Sequence, residues 1–456
     1  MDTEESHTRQ EIRKQLEPFF DGIVDAVEET VVDADELGDV DFEDFEETLQ
    51  QRGDDLMQKG CELGLKALDP DVERVFIDGV EYDKIMSSET TYRSKWGEIP
   101  IERALMRQKG IHNGPSVCPL ELRAGMVGSW TPACARSIGE FIQELPAKVA
   151  AGLSNVPYSS STFQRLGRRV GGGWEARRAD LQPAVSEDVD IPEEAASVSV
   201  LVDRVSVLMR EGERCNWRML WCGAVCVHDR QGDTLKTWRY GAVPEHLDAA
   251  VREPMRQDVE TILAERPDLE RIALGDGGSD VCNFLDEEYP QWERRLDFMH
   301  VTEKIGAALR GWCDDHATTR SPADVLGGWK LDLLNNDGAI EDIEASVRRW
   351  KQSRNSPETD KAIHAALTYI DNHRDQMRYA SIRDRGLPVG SGAIEATCKS
   401  LVALRMKRNG QSWSYPGAQA ILNLRSLALS GRWEAGMDAL MKTYRESVTP
   451  LPAQAA

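Results

Sequence analysis

Two aspartates stand in surroundings that suit a metal-binding carboxylate. Asp276 follows an apolar run in LGDGGSDV, residues 274–281, and the glycines beside it allow another group to approach the backbone closely. Asp203 lies within SVSVLVDRVSVLM, residues 197–209, whose β-branched composition is typical of a strand. Burying a carboxylate in such a strand is costly unless the group is paired or binds a metal. Both residues are therefore candidate metal ligands.

A glutamate follows in a segment that is rich in cations. The segment GLPVGSGAIEATCKSLVALRMKRNGQSW covers residues 386–413 and predicts a helix that begins near Ala393, with Glu395 in its first turn. Four cations follow the glutamate on this stretch: Lys399, Arg405, Lys407 and Arg408. Because phosphate binding depends on Lys and Arg, we expect these four side chains to contact DNA phosphates beside the acid.

Asp203, Asp276 and Glu395 together offer the oxygen donors that hard divalent ions prefer, and such ions keep several of their waters. Two ions about 3.5 to 4 Å apart can activate a nucleophile and stabilise the leaving oxygen of a phosphodiester. Each acid also has a structural alternative, since Asp276 could cap a turn and Glu395 could stabilise the start of its helix. The order of the acids and the strand context favour a catalytic triad that binds Mg²⁺, with Mn²⁺ as an alternative.

The elements that must position these acids form an α/β pattern, with three strands, a helix, and a further strand that ends in an acid. This order is typical of an RNase H-like core with a mixed sheet. A helical pattern from 301 to 384 predicts an insertion before the helix that carries Glu395. The expected strands are 197–209, 216–228, 234–243, 270–275 and 295–299, and the expected helix is 246–265.

The N-terminal half predicts further parts, so the fold class is α/β in the core and α+β across several domains. Asp78-Gly79 is a hairpin signal in a small β unit. The predicted domains are an acidic helical arm at 1–70, the β unit with a helix-turn-helix-like region and linker at 71–192, the first part of the core at 193–300, the helical insertion at 301–384, and the C-terminal helices of the core at 385–446.

The helix-turn-helix-like region covers residues 131–170, with a break at 154–157. Its second helix, SSSTFQRLGRRV, carries three arginines. A helix-turn-helix places its second helix in the major groove of DNA, but an ordinary helical hairpin with a solvated basic face fits the same pattern. The glycine-rich and proline-containing stretch 171–195 predicts a linker to the core. The three arginines, which we expect to contact DNA, are Arg165, Arg168 and Arg169.

Charge is distributed unevenly along the chain. The net charge is −23, and residues 1–60 contribute −15 of it, with 20 Asp and Glu and 5 Lys and Arg. Residues 376–432 carry +7, from nine Lys and Arg and two acids. The acidic arm could mask the basic segment or bind a partner, and a simple solvated pair of helices explains it equally well.

The quoted motifs resemble those of bacterial insertion-sequence transposases of the ISKra type, a DDE family with an RNase H-like core. The matching pieces are LVDRVSVLM, ALGDGG, DFMHVTEKI, the segment 386–413, and GAQAILNLRSLALSGRWE at 417–434. The resemblance implies that Asp203, Asp276 and Glu395 are the catalytic triad. It also implies an accessory D-x-x-H signature, Asp297 and His300, although a lone histidine that ends an apolar strand is more often a satisfied core group.

The resemblance further implies a transposase that binds terminal inverted repeats in double-stranded DNA, cleaves the ends and joins them to target DNA, as a homo-oligomer on paired ends. A host-adopted DNA-binding or regulatory protein that no longer transposes is the alternative. We expect a cytoplasmic, nucleoid-associated protein, because no run of eighteen apolar residues and no secretory leader occurs. The nine scattered cysteines contain no C-x-x-C pair, so we expect buried thiols rather than disulfides or a zinc ribbon.

Overall fold

The computed structural model describes residues 2–35, 40–70, 72–187, 189–318 and 320–451. The chain is mixed α/β and divides into two compact units. Unit 1 contains residues 1–173 and 437–456, and unit 2 contains residues 174–436. None of the helices in the described residues combines the length and apolar character that crossing a membrane requires.

The helices and strands are numbered in chain order. The helices of the described residues are α1 Asp2–Asp35, α2 Phe42–Leu68, α3 Pro119–Ala124, α4 Pro132–Glu144, α5 Ala147–Leu153, α6 Ser160–Ala176, α7 Arg178–Ser186, α8 Glu253–Glu265, α9 Ser279–Glu288, α10 Phe298–His316, α11 Pro322–Asn335, α12 Ala339–Trp350, α13 Pro357–His373, α14 Ala380–Asp384, α15 Gly392–Thr397, α16 Leu404–Met406, α17 Tyr415–Leu429 and α18 Trp433–Lys442. The strands are β1 Arg74–Ile77, β2 Val80–Ser94, β3 Gly97–Gln108, β4 Ser116–Val117, β5 Ser197–Glu211, β6 Arg214–His228, β7 Thr234–Ala242, β8 Glu270–Gly275, β9 Glu293–Leu296 and β10 Val448–Pro450.

Unit 1 combines the acidic helical arm with a small antiparallel sheet. The side chain of Asp41 accepts hydrogen bonds from the backbone of Glu43 and Asp44 and so begins α2. The sheet has the order β10-β1-β2-β3-β4. Asp78 and Gly79 both have positive φ and connect β1 to β2 by the two-residue turn that the sequence predicts. The three-residue β10 was not predicted, because so short a strand has no readable alternation.

The helix-turn-helix-like region contains α4, α5 and α6, with the predicted break between α5 and α6. However, α6 does not end at Val170 but continues to Ala176, and α7 follows. The prediction of a linker at 171–195 was therefore wrong for residues 171–176 and 178–186, which are helical. A Cβ atom on Gly173 would lie 2.3 Å from the hydroxyl of Tyr444, so glycine is needed there for close packing rather than for flexibility.

Unit 2 is built on a five-stranded sheet with the order β7-β6-β5-β8-β9. Strands β5, β6 and β7 are antiparallel neighbours, whereas β8 runs parallel to β5 and β9 runs parallel to β8. Both faces are covered, which explains the nearly continuous apolar sequence of β5. Val198 and Val200 pack with residues of α8 and α9, while Leu201 packs with residues of α15 and α17.

The predicted insertion is helical and contains α10 to α14. Trp312 and Trp350 stack with ring centroids 5.0 Å apart, and Trp329 lies against Trp350 at 5.7 Å. These tryptophans pack on one another. The strand predicted at 295–299 ends at Leu296, because the side chain of Asp297 caps the start of α10.

The loop between α14 and α15 requires glycine at one position. Gly386 has φ +70, and a Cβ atom there would lie 2.0 Å from the carbonyl oxygen of Arg230.

We predict that Gly386→Ala lowers the free energy of unfolding by at least about 2 kcal/mol, because left-handed backbone strain adds to the clash. Gly390→Ala in the same loop is the control, since no atom lies near its Cβ position. It should change the free energy by less than about 0.5 kcal/mol in denaturant titrations. Equal effects of the two substitutions would contradict the prediction.

Candidate active site

The pairing of two parallel strands brings Asp203 and Asp276 to the same edge of the sheet. The last paired residues of β5 and β8 are Leu201 and Leu274, and each aspartate lies two residues beyond. Neighbouring strands are about 4.8 Å apart, so the aspartates occupy equivalent positions on adjacent strands. One carboxylate oxygen of Asp203 accepts the Arg204 N–H at 2.6 Å. The Asp276 carboxylate is held likewise, because its Oδ1 accepts the Gly278 N–H at 2.8 Å.

The helical insertion holds the Asp276 backbone in place. The hydroxyl of Tyr369 on α13 donates a hydrogen bond to the carbonyl oxygen of Asp276 at 2.8 Å. Gly277 has positive φ, and a Cβ atom there would lie 2.9 Å from the Tyr369 ring. The group that the glycines allow to approach is therefore this tyrosine, which fixes the turn after β8.

Burial raises the pKa of Asp203, and the negative charge of Asp276 raises it further. The N–H of Arg204 acts in the opposite direction. The two carboxylates are close enough to repel each other, and a cation bound beside them would relieve that repulsion.

Glu395 approaches the same edge on α15. Three residues later the thiol of Cys398 lies 3.7 Å from a carboxylate oxygen of Asp203 and donates to it, whereas the Glu395 side chain itself is exposed. The neighbouring Cys222 thiol and burial both raise the pKa of Cys398 far above its usual value, so the thiol stays protonated. Sequence reasoning missed Cys398, since a single cysteine on a helix gives no signal of this contact.

Asp297, His300 and Glu395 form the tightest group of candidate ligands, with one ligand atom from each within 4.8 Å of the others. Within the described ranges this group stands alone, so Asp203, Asp276 and Glu395 do not all approach one another as closely. Asp297 is fully buried and accepts backbone N–H groups from His300, at 2.7 Å, and from Ser391, which immediately precedes α15. Its oxygens are therefore already occupied by protein donors.

Asp297 and His300 form an ion pair at neutral pH. Burial opposes ionisation of Asp297, but hydrogen bonds from His300 and Ser391 lower its pKa to about 2. The hydrogen bond to Asp297 raises the pKa of His300 to about 9, against the effect of burial, and the charges of Asp276 and Asp203 add to the rise. Because a histidine binds metal through a neutral imidazole, this histidine is better suited to balance charge than to act as a ligand.

The cations predicted beside Glu395 differ in exposure. Lys399, Lys407 and Arg408 are exposed, whereas Arg405 is buried with 3% exposure. The guanidinium of Arg405 lies over the ring of Trp413, 5.0 Å from its centroid. The structure therefore does not support the prediction that Arg405 contacts phosphates, because helical spacing turns this side chain toward the core.

The cations of the helix-turn-helix-like region lie on α6, with Arg165, Arg168 and Arg169 all exposed. The opposite side of the helix buries Phe163 and Leu166. This amphipathic pattern fits a DNA-contacting helix and a solvated hairpin equally well, so DNA contact by α6 stays a prediction.

No protein-family model matches this chain, and comparison with curated proteins finds no match either. The interpretation of the acidic edge therefore depends on the geometry of the site itself.

We predict that Asp297→Asn lowers the pKa of His300 from about 9 toward its ordinary value of 6.5, because the charge opposite the imidazolium is removed. NMR titration of the imidazole signals measures this change. His228, whose pKa burial lowers to about 4, is an internal control because it pairs with Ser197 at the far end of β5. An unchanged His300 pKa would show that Asp297 is not the main cause of the shift.

Proposed function

We propose that this protein is a magnesium-dependent DDE transposase that cleaves the DNA ends of an insertion sequence and joins them to target DNA. The observation that carries the proposal is that Asp203 and Asp276 each lie two residues beyond the last pair of the adjacent parallel strands β5 and β8, while Cys398, three residues after Glu395, contacts Asp203. In this proposal Asp203, Asp276 and Glu395, three carboxylates distant in sequence, supply the metal ligands at one edge of the sheet. Such an arrangement is what two-metal phosphodiester chemistry requires of a protein.

The strand order supports an RNase H-like core as the scaffold of this chemistry. The three antiparallel strands β5, β6 and β7 come first, then α8, and then β8, which lies beside β5 and ends at an acid. This is the order expected from the sequence. The ligands therefore come from adjacent central strands, with the third acid supplied by a helix packed on the sheet.

The donor set fits Mg²⁺, and Mn²⁺ as its substitute. Asp203, Asp276 and Glu395 offer carboxylate oxygens, and neither Asp203 nor Asp276 makes a salt bridge among the described residues. These three carboxylates do not all lie within 4.8 Å of one another, so they are better suited to a pair of ions than to one enclosed ion. When bound, the ions would activate the attacking hydroxyl or water and stabilise the leaving oxygen.

The remaining residues orient the acids and balance their charge. His300 donates from Nδ1 to Asp297 at 3.2 Å, so its second N–H remains available to a phosphate oxygen. Asp297 also holds the N–H of Ser391 and thereby fixes the loop from which α15 begins. The exposed cations Lys399, Lys407 and Arg408 would contact the DNA backbone on either side of the cleaved bond.

The proposal includes double-stranded DNA as the partner, through the terminal inverted repeats and the target, and a homo-oligomer that holds paired ends. It also includes a cytoplasmic, nucleoid-associated location. The chain retains all three acids, which favours an active enzyme over a host-adopted protein that only binds DNA.

We predict that Asp276→Ala reduces strand cleavage by more than about 100-fold, because even groups that only support metal ligands cost up to about that much. Binding should change little, since this carboxylate would hold metal rather than DNA. End-labelled duplexes from the sequence flanking the gene, incubated with magnesium, report cleavage on denaturing gels, and gel shifts report binding.

Asp280→Asn is the matched control, because Asp280 is an exposed acid close to Asp276 in sequence that pairs with Arg204. It should leave cleavage within a few-fold of the original protein. Full cleavage by the Asp276→Ala protein would place the chemistry elsewhere.

A further inference from the structure

Two strands of the unit 2 sheet extend well beyond its other members. Strands β5 and β6 pair with each other along their whole length, but β8 pairs with β5 only as far as Leu201, and β7 pairs with β6 only from Trp221 onward. Residues 205–211 and 214–220 therefore form a two-stranded arm, here termed the ribbon. The ribbon begins at Val205, two residues beyond Asp203, so it extends from the candidate active site.

One face of the ribbon presents large apolar side chains to solvent. Trp217 pairs with Leu208 and Met219 pairs with Ser206, so alternation places all four on one face. Trp217 is 62% exposed and Met219 is 41% exposed. Most tryptophans in folded proteins are largely buried, so an exposed one beside an exposed methionine indicates a binding surface.

Cations accompany these side chains. Arg210 and Arg214 lie at the end of the ribbon, and Lys407 and Arg408 lie on the loop that runs beside it. The loop is joined to β5, since the Trp413 N–H donates to Leu208 at 3.0 Å and the Arg210 N–H donates to Trp413 at 2.7 Å. All four cations are exposed, and within the described part of the chain none of them forms a salt bridge. Exposed cations without a carboxylate partner are suited to phosphates.

We infer that the ribbon is a DNA-binding arm in which Trp217 stacks on an unpaired base while Arg210, Arg214, Lys407 and Arg408 contact the backbone. The inference rests on the proposed function, which makes DNA the substrate. An exposed aromatic face that also carries Arg210, with further unpaired cations at the hairpin end and on the adjoining loop, complements a nucleic-acid strand, because every base offers a π-face and every nucleotide a negative charge.

The position of Trp217 sets the place of contact on the DNA. Its partner Leu208 lies five residues from Asp203, about 17 Å along a strand at roughly 3.4 Å per residue. A DNA strand that runs along the ribbon with about 3.4 Å per nucleotide covers this distance in about five nucleotides. Trp217 should therefore meet a base roughly five nucleotides from the bond that is cleaved.

Fluorescence anisotropy with two labelled probes tests the inference. One probe is a duplex from the sequence flanking the gene, and the other is the same duplex with its terminal five nucleotides unpaired. Calcium replaces magnesium in the binding buffer, because both ions bind to oxygen ligands. Trp217→Ala should weaken binding of the unpaired probe by about 10-fold and of the paired probe much less. Trp217→Phe should retain most of the affinity, since it keeps an aromatic face.

Leu331→Ala is the matched control, because Leu331 is 63% exposed and lies in the helical insertion of the same unit. It should bind both probes like the original protein. Equal binding of the unpaired probe by Trp217→Ala and the original protein would overturn the inference. A loss of self-association in sedimentation without a loss of DNA affinity would also overturn it, by making the face a protein interface.

The two proposals fail separately. If the original protein cleaves DNA in magnesium but Trp217→Ala binds DNA as tightly as the original protein, the DNA-binding arm is refuted and the proposed enzyme is not. Binding that depends on Trp217 in a protein that cleaves no DNA would support the arm and refute the proposed chemistry.

Discussion

The buried carboxylate of Asp297 is the interaction on which the candidate site depends. Its backbone N–H bonds to Gly275, the last residue of β8, and its side chain accepts from His300 in α10 and from Ser391 before α15. Asp297 thus joins the strand that precedes Asp276 to the loop that precedes Glu395. Since an unpaired buried charge is very costly, these donors and the carboxylate must stay together while the protein is folded.

This ion pair also sets the pH range over which the edge is held together. The pKa of Asp297 is lowered from 3.8 to about 2, so its contribution to stability is present above about pH 4 and is lost as the pH falls toward 2. The pKa of His300 is raised from 6.5 to about 9, so its contribution is complete below pH 6.5 and is lost as the pH rises through 9. Around neutral pH the edge therefore combines several carboxylates with one fixed positive charge. The edge is therefore net negative, which favours the binding of a divalent cation.

The sequence predicted the strands of the core closely, because continuous β-branched runs and glycine turns report buried strands directly. It also placed Asp203 and Asp276 on their strands, whereas the parallel register that brings them together depends on pairing between residues 73 positions apart. The contacts of Ser391 and Cys398 were not predicted, since both form only when α15 packs on the sheet. Arg405 was predicted to contact phosphates, but its side chain is buried with the guanidinium over the Trp413 ring. Glycines at 171–173 indicated a linker, yet these residues lie within α6, and Tyr444 packs against Gly173.

Diffraction from crystals soaked in manganese, with the anomalous signal locating the ions, tests the central claim most directly. The account predicts Mn²⁺ bound by carboxylate oxygens of Asp203, Asp276 and Glu395, at about 2.0 to 2.2 Å, with the Asp297–His300 pair intact. Manganese bound instead by Asp297, His300 and Glu395, with Asp203 and Asp276 uncoordinated, would contradict it.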